Sequence, residues 1–291
     1  MICFIILHYN TIEETEKCIA SIEALEEKEA VKIVIVDNAS PDGSGAVLKK
    51  KYEESEQITV LLRKKNDGFS VGNNEGCAYA VERWNPDFIV VANNDIEFKQ
   101  KSFISYIQNE YQRSRFAVLG PDIYNPILKI HQSPIGKLPP DRKRINRTIF
   151  LNQMMLRIYP AAYPFLKKWF RRMEHSVDAT DYQIQQKDVC LMGACLIYSR
   201  DYIESRNKIF EPETKFYYEE NIQAVWCLHH NMRMVYQPSM QVWHMDGRAT
   251  KSVDKNEKRR IWFRMENILQ AAIIYKNFLM EIENEKETGS N

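Results

Sequence analysis

Five short runs of apolar, largely β-branched residues, separated by stretches of helical periodicity, dominate the first 120 residues and restrict what this chain can fold into. The runs are ICFIILHY (2–9), KIVIVD (32–37), ITVLLR (58–63), DFIVVAN (87–93) and FAVLG (116–120). Helical patterns fall between them, near 11–25, 44–54, 70–83 and 99–112. In the first of these, Ile12, Ile19, Ile22 and Leu25, with Thr15 between, recur at helical spacing and form one buried face. Asn10, with Glu13 three places on, reads as its N-cap. Strands this apolar, each followed by a helix, predict an α/β fold with a mainly parallel sheet and helices on both faces. Ligands of such sheets bind beyond the carboxyl ends of the strands. Chemistry is therefore expected at Tyr9-Asn10, Asp37-Asn38 and Asn93-Asn94-Asp95.

The pattern breaks from 121 to 187, where prolines at 121, 126, 134, 139 and 140 predict loop and a basic, aromatic segment follows. Regular structure is expected again over 189–199 and 210–244, and a helical tail from Lys255 to Glu283. The corresponding division is 1–120, 121–188, 189–250 and 251–291. The net charge of +1 points neither to nucleic acid nor to an acidic substrate, and no nucleic-acid module is recognisable. Six scattered cysteines without a CxxC pair, and an opening apolar run too short for a secretory signal, fit reduced thiols in a cytoplasmic protein. No run approaches the roughly 18–20 apolar residues of a membrane span, so membrane contact would be peripheral.

Four segments carry chemistry. In DNASPDG (37–43) an acid at a strand end can accept hydrogen bonds from a ribose or base, although the segment by itself is also an ordinary turn. NDGFSVGNNEG (66–76) opens a helix whose free N–H groups suit a phosphate or ribose hydroxyl. It has neither GxGxxG spacing nor a Walker lysine, which argues against a dinucleotide fold or a nucleotide hydrolase. VVANNDIEF (90–98) sets bare polar groups after a buried strand, and a hard divalent cation is the natural partner for Asp95. FYYEENIQ (216–223) carries Glu219 and Glu220, which on a helix point about 100° apart, so one can serve a cleft as base while the other braces structure.

The order and spacing of IILHYN, IVDNASPDG, NDGFSVGNNEG, VVANND, GACLIYSRDYI and FYYEEN leading to VYQPSMQVWH resemble the family 2 glycosyltransferases, inverting enzymes of the glycosyltransferase-A fold. The likeness covers about 1–120 and 189–250 and points toward bacterial rhamnosyltransferase-like and cell-surface polysaccharide members. It implies a nucleotide-sugar-binding half at 1–120 and an acceptor-binding and catalytic half at 189–250, flanked by a basic aromatic insertion and the helical tail. By resemblance, Tyr9, Asn10, Asp37 and Asn38 line the nucleoside pocket, with Asn66, Gly68, Asn73 and Asn94 toward the ribose and diphosphate. Asp95 holds Mn²⁺ or Mg²⁺ with His244 as a second ligand, Glu220 (or Glu219) is the general base, and Gly193-Ala194 is backbone beside the acceptor. The donor implied is a UDP- or dTDP-linked sugar and the acceptor a glycan or lipid-linked glycan. The signature here is Asn-Asn-Asp with one carboxylate, and Ile222 stands where many members have another acid. A catalytically silent sugar- or membrane-binding homologue, or another nucleotide-sugar enzyme such as a nucleotidyltransferase, is the competing expectation.

Residues 137–172 hold ten Lys and Arg against one acid, Asp141, interleaved with Phe150, Tyr159, Tyr163, Phe165, Trp169 and Phe170. This mix suits an anionic membrane surface, here the inner face of the cell membrane, or an insertion that packs its apolar side on the core. Trp262 and Phe263, within the basic stretch Lys255–Arg264, repeat it on a smaller scale.

Overall fold

The computed structural model describes residues 1–27, 30–136, 139–173, 181–245 and 257–288, and side chains throughout these except 166–173. The first half alternates as the periodicity predicts: β1 (Ile2–His8), α1 (Ile12–Glu23), β2 (Val31–Asp37), α2 (Ser44–Lys51), β3 (Ile58–Leu62), α3 (Phe69–Trp84) and β4 (Phe88–Asn93). After it come β5 (Ile96–Glu97), α4 (Phe103–Ser114), β6 (Val118–Asn125), β7 (Ile130–His131), α5 (Arg142–Met173) and β8 (Gln186–Lys187). The chain then forms β9 (Cys195–Ser199), α6 (Arg200–Glu204), α7 (Glu219–His229), β10 (Met234–His244) and α8 (Glu257–Thr288).

The strands form one sheet in the order β3-β2-β1-β4-β9-β6-β10-β5, with β7 on β6 and β8 on β10. β1 pairs in parallel with β2 and β4, β2 with β3, and β6 with β10. β9 runs antiparallel between β4 and β6, so those six strands share one direction. Their carboxyl ends make a common edge. Successive residues of β1 face opposite sides: Ile2, Phe4 and Ile6 join the core under α1 and α4, while Cys3 and Ile5 join the one under α3 and α7. Covering on both faces is why these runs are apolar without alternation. Gly72 and Gly76 let α3 lie close to the sheet: a Cβ on Gly76 would come within 2.6 Å of Ile5, and one on Gly72 within 2.5 Å of Leu7.

Two expectations are corrected. Asn10 is not the cap of α1. Thr11 holds that position without a side-chain cap bond, and Asn10 sits in the left-handed region (φ 63°) with its N–H donated to Ser40 Oγ at 2.9 Å. Nor is 121–187 mostly loop. β6 continues through Pro121, where the β10 register slips between Gln237 and Gln241, the kind of irregularity that accommodates a residue unable to donate to the ladder.

α5 is a helix of 32 residues. Asp141 starts it by accepting the Arg144 N–H at 2.8 Å. Pro164 has no N–H for the Pro160 carbonyl, which instead accepts from Lys258 Nζ at 3.2 Å. Ile145 joins Ile222 and Val225 of α7 and Tyr275 and Phe278 of α8, while Tyr159 packs on Ile261 and Met265. α5 and α8 thus form a layer beyond α7. The sequence-predicted basic residues Lys137, Lys167, Lys168, Arg171, Arg172 and Lys255, with Trp169 and Phe170, lie outside the described side chains. All six cysteines are buried and free, and no described helix is long and apolar enough to cross a membrane.

Candidate functional site

The carboxyl ends of β1 and β2 meet through short polar bonds. Asp37 is buried, and its carboxylate accepts from the Ser40 hydroxyl and from the Ser40 N–H at 3.2 Å. Ser40 in turn accepts the Asn10 N–H. Gly45 is required beside it, since a Cβ there would collide with the Asp37 carboxylate. Behind this cluster, fully buried His8 bonds Thr15 Oγ1 at 2.7 Å and Ser44 Oγ at 2.8 Å. Burial pushes its pKa down, against the opposing charges of Asp37 and Asp42, and favours the neutral ring. Tyr9 and Asn10 are partly exposed at the mouth of the cluster, and Asn10 Oδ1 has no hydrogen-bond partner.

Asn38 connects this cluster to the start of α3. Its amide donates to Asn66 Oδ1 at 3.0 Å and to the Gly68 carbonyl at 3.1 Å, and its Oδ1 accepts from Arg63 at 2.5 Å. Arg63 also reaches Asp67 and Glu75, each at 2.9 Å. The α3 terminus is not open to a phosphate in the simplest way: the Phe69 N–H is donated to the Lys215 carbonyl at 2.8 Å. Gly68 (φ 99°) lies against that same backbone, where a Cβ would clash. Asn73 is fully buried, with its amide on the Phe69 carbonyl at 3.0 Å and its Oδ1 unpartnered. Asn74, which the sequence did not single out, exchanges bonds of 2.9 Å with the Phe210 backbone and holds the 210–218 segment over α3.

After β4 the three polar residues separate in role. The Asn93 N–H donates to the Ala194 carbonyl at 2.9 Å. Asn94 turns inward and gives its amide to Thr11 and Thr15 hydroxyls at 2.8 and 2.9 Å, which clamps this turn to α1. Asp95 keeps part of its side chain exposed, with Oδ1 3.2 Å from His244 Nε2 at the end of β10. The other ring nitrogen, Nδ1, lies 2.7 Å from Gln132 Oε1. An amide oxygen only accepts, so Nδ1 donates and Nε2 is turned on the carboxylate. A proton or a cation is what such an opposed nitrogen and oxygen pair can share. A carboxylate, an imidazole oriented by an outer partner and remaining positions for phosphate oxygens and water suit Mn²⁺ or Mg²⁺. Among the described residues, the one cluster of three or more potential ligands is elsewhere, at His229, His230 and Glu285.

Glu219 and Glu220 open α7 and diverge as their helical phase requires. Glu220 is partly exposed, and its Oε1 accepts the Gly193 N–H at 3.1 Å. A Cβ on Gly193 would stand 2.7 Å from that oxygen. Through Gly193-Ala194 and the Ala194–Asn93 bond, Glu220 belongs to the same sheet edge as Asp95. Glu219 instead faces a recess lined by Ser70, Arg206, Phe210 and Gln223, and its Oε1 is buried without a partner. Burial, then the neighbouring Glu220 charge, pushes its pKa up to about 8. Burial raises Glu220 as well, opposed by the backbone N–H groups it accepts. Tyr217 and Tyr218, just before the pair, both take left-handed backbone (φ 74° and 69°). For bulky residues this costs about 1–3 kcal/mol each, a strain that packing must hold in place. Tyr218 stacks on Tyr275 of α8.

Arg63 and Gln132, like Asn74, are site neighbours that the sequence reading missed. Arg63 closes the third apolar run, so the rule about strand ends could have found it. Gln132 leaves no such signal, because it meets His244 across 112 residues.

The sequence profile of glycosyl transferase family 2 matches residues 3–206. Over 131 residues the chain is 24% identical to the low-salt glycan biosynthesis hexosyltransferase Agl10 of Haloferax volcanii, a span of 45% of this chain and 39% of that protein. The chain therefore matches well under half the length of this relative. Among solved structures, S. aureus TarS 1–349 in complex with UDP superposes with a TM-score of 0.56 at 11% identity, covering 98% of this chain and 71% of that one. The mannosyltransferase PcManGT from Pyrobaculum calidifontis, in complex with GDP-Man and Mn²⁺, gives 0.54 at 11% identity over 94% and 73%. At such identity the likeness is one of fold, the glycosyltransferase-A type. With the profile spanning more than half of its length, the chain belongs to glycosyl transferase family 2.

Proposed function

We propose that this chain transfers a sugar from a UDP- or dTDP-linked donor to an acceptor hydroxyl, with inversion at the anomeric carbon. The observation that carries the reading is one sheet edge that bears both the Asp95–His244 pair, 3.2 Å apart, and the Glu220 carboxylate held by Gly193. The nucleoside lies against Asp37, Asn10 and Tyr9, with Asn38 and Asn66 toward the ribose. Asn73 and Asn94, turned inward, act by shaping this wall. Asp95 and His244 would hold Mn²⁺ or Mg²⁺, whose charge would offset that of the leaving diphosphate. Glu220 accepts the proton of the acceptor hydroxyl as its oxygen bonds to the anomeric carbon and the bond to the diphosphate breaks on the opposite face. A carboxylate whose pKa burial has raised is a better base than a solvated one. Glu219, turned into its recess, braces the loop.

The acceptor assigned here is a growing lipid-linked glycan at the inner face of the membrane, in cell-surface polysaccharide synthesis. The glycan-biosynthesis hexosyltransferase among its relatives supports a glycan acceptor, and the complexes of its structural neighbours with UDP, or with GDP-Man and Mn²⁺, support the donor class and the cation. The test is Glu220→Gln, which keeps the shape but takes no proton. Donor affinity should be unchanged in calorimetry while transfer falls by roughly 100-fold or more. Undiminished transfer would remove Glu220 as the base. Absence of any metal-dependent donor turnover in the parent protein would favour a silent homologue.

A further inference from the structure

α5 has two apolar faces, and only one of them is used. Ile145 and Tyr159 point inward to α7 and α8. On the other side Phe150, Leu151, Met154, Ile158 and Phe165 are exposed, Phe150 at 64% and Phe165 at 87%. At about 100° per residue these five share one face, and Lys143, Arg147 and Arg157 fall within or beside the same arc. The charge on this face is one-signed. No acid occurs from 142 to 173, and Asp141, just before, is engaged in capping the helix. None of the ion pairs among the described residues involves Lys143, Arg147 or Arg157.

We infer that the outer face of α5 is a docking surface for an anionic lipid bilayer, on which the helix lies in the plane of the headgroups. Apolar side chains that reach the acyl boundary, with cations beside them at headgroup level, are what an interfacial helix requires. The helix is too polar to span, and none of the described helices can. Self-association through the same face would press two uniformly cationic surfaces together, which charge opposes, whereas a leaflet of anionic lipid complements them. Nucleic acid would answer the charge but leave the five apolar side chains without a partner. The docked helix also adjoins the candidate transfer site: Tyr218, next to Glu219, packs in the same apolar cluster as Ile145 and Ile149. Docking itself does not depend on the transfer chemistry. That it presents a lipid-borne acceptor rests on the proposed function.

The experiment is flotation of the full chain with vesicles of phosphatidylcholine alone and with vesicles that also contain phosphatidylglycerol, at low and high salt. Binding should require the anionic lipid and weaken as salt shortens the screening length. Each basic side chain near such a leaflet is worth roughly fivefold in partitioning, so the triple variant K143Q/R147Q/R157Q should lose on the order of 100-fold. The double variant F150S/I158S should weaken binding and reduce its residue at high salt further. Equal binding to both vesicles, none to either, or retention by both variants would overturn the inference. So would a lipid-free dimer in light scattering that F150S/I158S dissolves, because the face would then belong to a second copy. Nucleotide affinity, and transfer to a lipid-free acceptor fragment, should be the same in these variants as in the parent. Their loss in the parent itself would instead count against the proposed function and leave the vesicle result standing.

Discussion

Glu219→Gln should abolish most of a pH dependence of stability that the parent protein carries. The Glu219 carboxyl is buried in the recess beside Ser70, Arg206 and Gln223, with one oxygen unpartnered, and its pKa rises from an ordinary 4.5 to about 8. The sign follows directly. Below about 4.5 both the folded and the unfolded chain hold the proton, and this group costs the folded state nothing. As pH rises the unfolded chain releases the proton while the folded one keeps it, so stability falls until the pH passes about 8. Each pH unit in that window is worth about 1.4 kcal/mol for one group. Between pH 5 and 7 the loss is therefore about 2–3 kcal/mol, less whatever Glu220 shares as the coupled partner. The amide that replaces the carboxyl has no proton to release, so the variant should be flatter over this window and the more stable protein near pH 7. Urea unfolding followed by tryptophan fluorescence at several pH values measures both slopes, and other titrating groups cancel in the difference between the two proteins. Parallel profiles would refute the burial of a protonated Glu219. A variant less stable than the parent at every pH would mean that the protonated carboxyl makes a contact that the amide cannot replace.

Four further substitutions examine the rest of the edge. Asp37→Ala should weaken UDP or dTDP binding by about 1–3 kcal/mol, the usual cost of a lost charged hydrogen-bond partner, and unchanged affinity in calorimetry would take Asp37 out of the site. Asp95→Asn should abolish the tightening of nucleotide binding by Mn²⁺ without loss of fold, and His244→Ala should reduce it less; parent binding curves that are the same with Mn²⁺ and with chelator would end the metal assignment. Gly193→Ala places a methyl 2.7 Å from Glu220 Oε1 in the present geometry. It should lower transfer by roughly tenfold or more through the displaced base, with nucleotide affinity retained, and full activity would show that the Gly193–Glu220 contact has no part in transfer.

Local pattern was enough to place the strands and to direct attention to their carboxyl ends. The runs at 2–9, 32–37 and 87–93 could be read because a strand covered on both faces is apolar at every position, whatever covers it. The segment 121–187 could not be read as structure. Its prolines are loop signals in any window, and only the meeting of α5 with α7 and α8 supplies the burial that holds a helix through Pro160 and Pro164. What lies against Gly68, Gly72 and Gly76, namely the Lys215 backbone, Leu7 and Ile5, is a property of the packed chain.

Within the site the same boundary holds. Sequence could name Asp95 from its place after an apolar run, His244 only through the family resemblance, and Glu219 and Glu220 from their adjacency beside aromatics. It could not say that Asp95 and His244 stand 3.2 Å apart with Gln132 behind the ring, nor which glutamate faces Gly193 and which faces a recess. Periodicity along a chain reports which side of an element is buried, because each residue's burial is decided by its own hydrophobicity. Convergence of side chains from just beyond β4 and β7 with those of α7 and β10 depends on the order in which strands lie in the sheet, with β9 and β6 between β4 and β10. That order is decided by packing among distant segments, so it belongs to the tertiary structure alone.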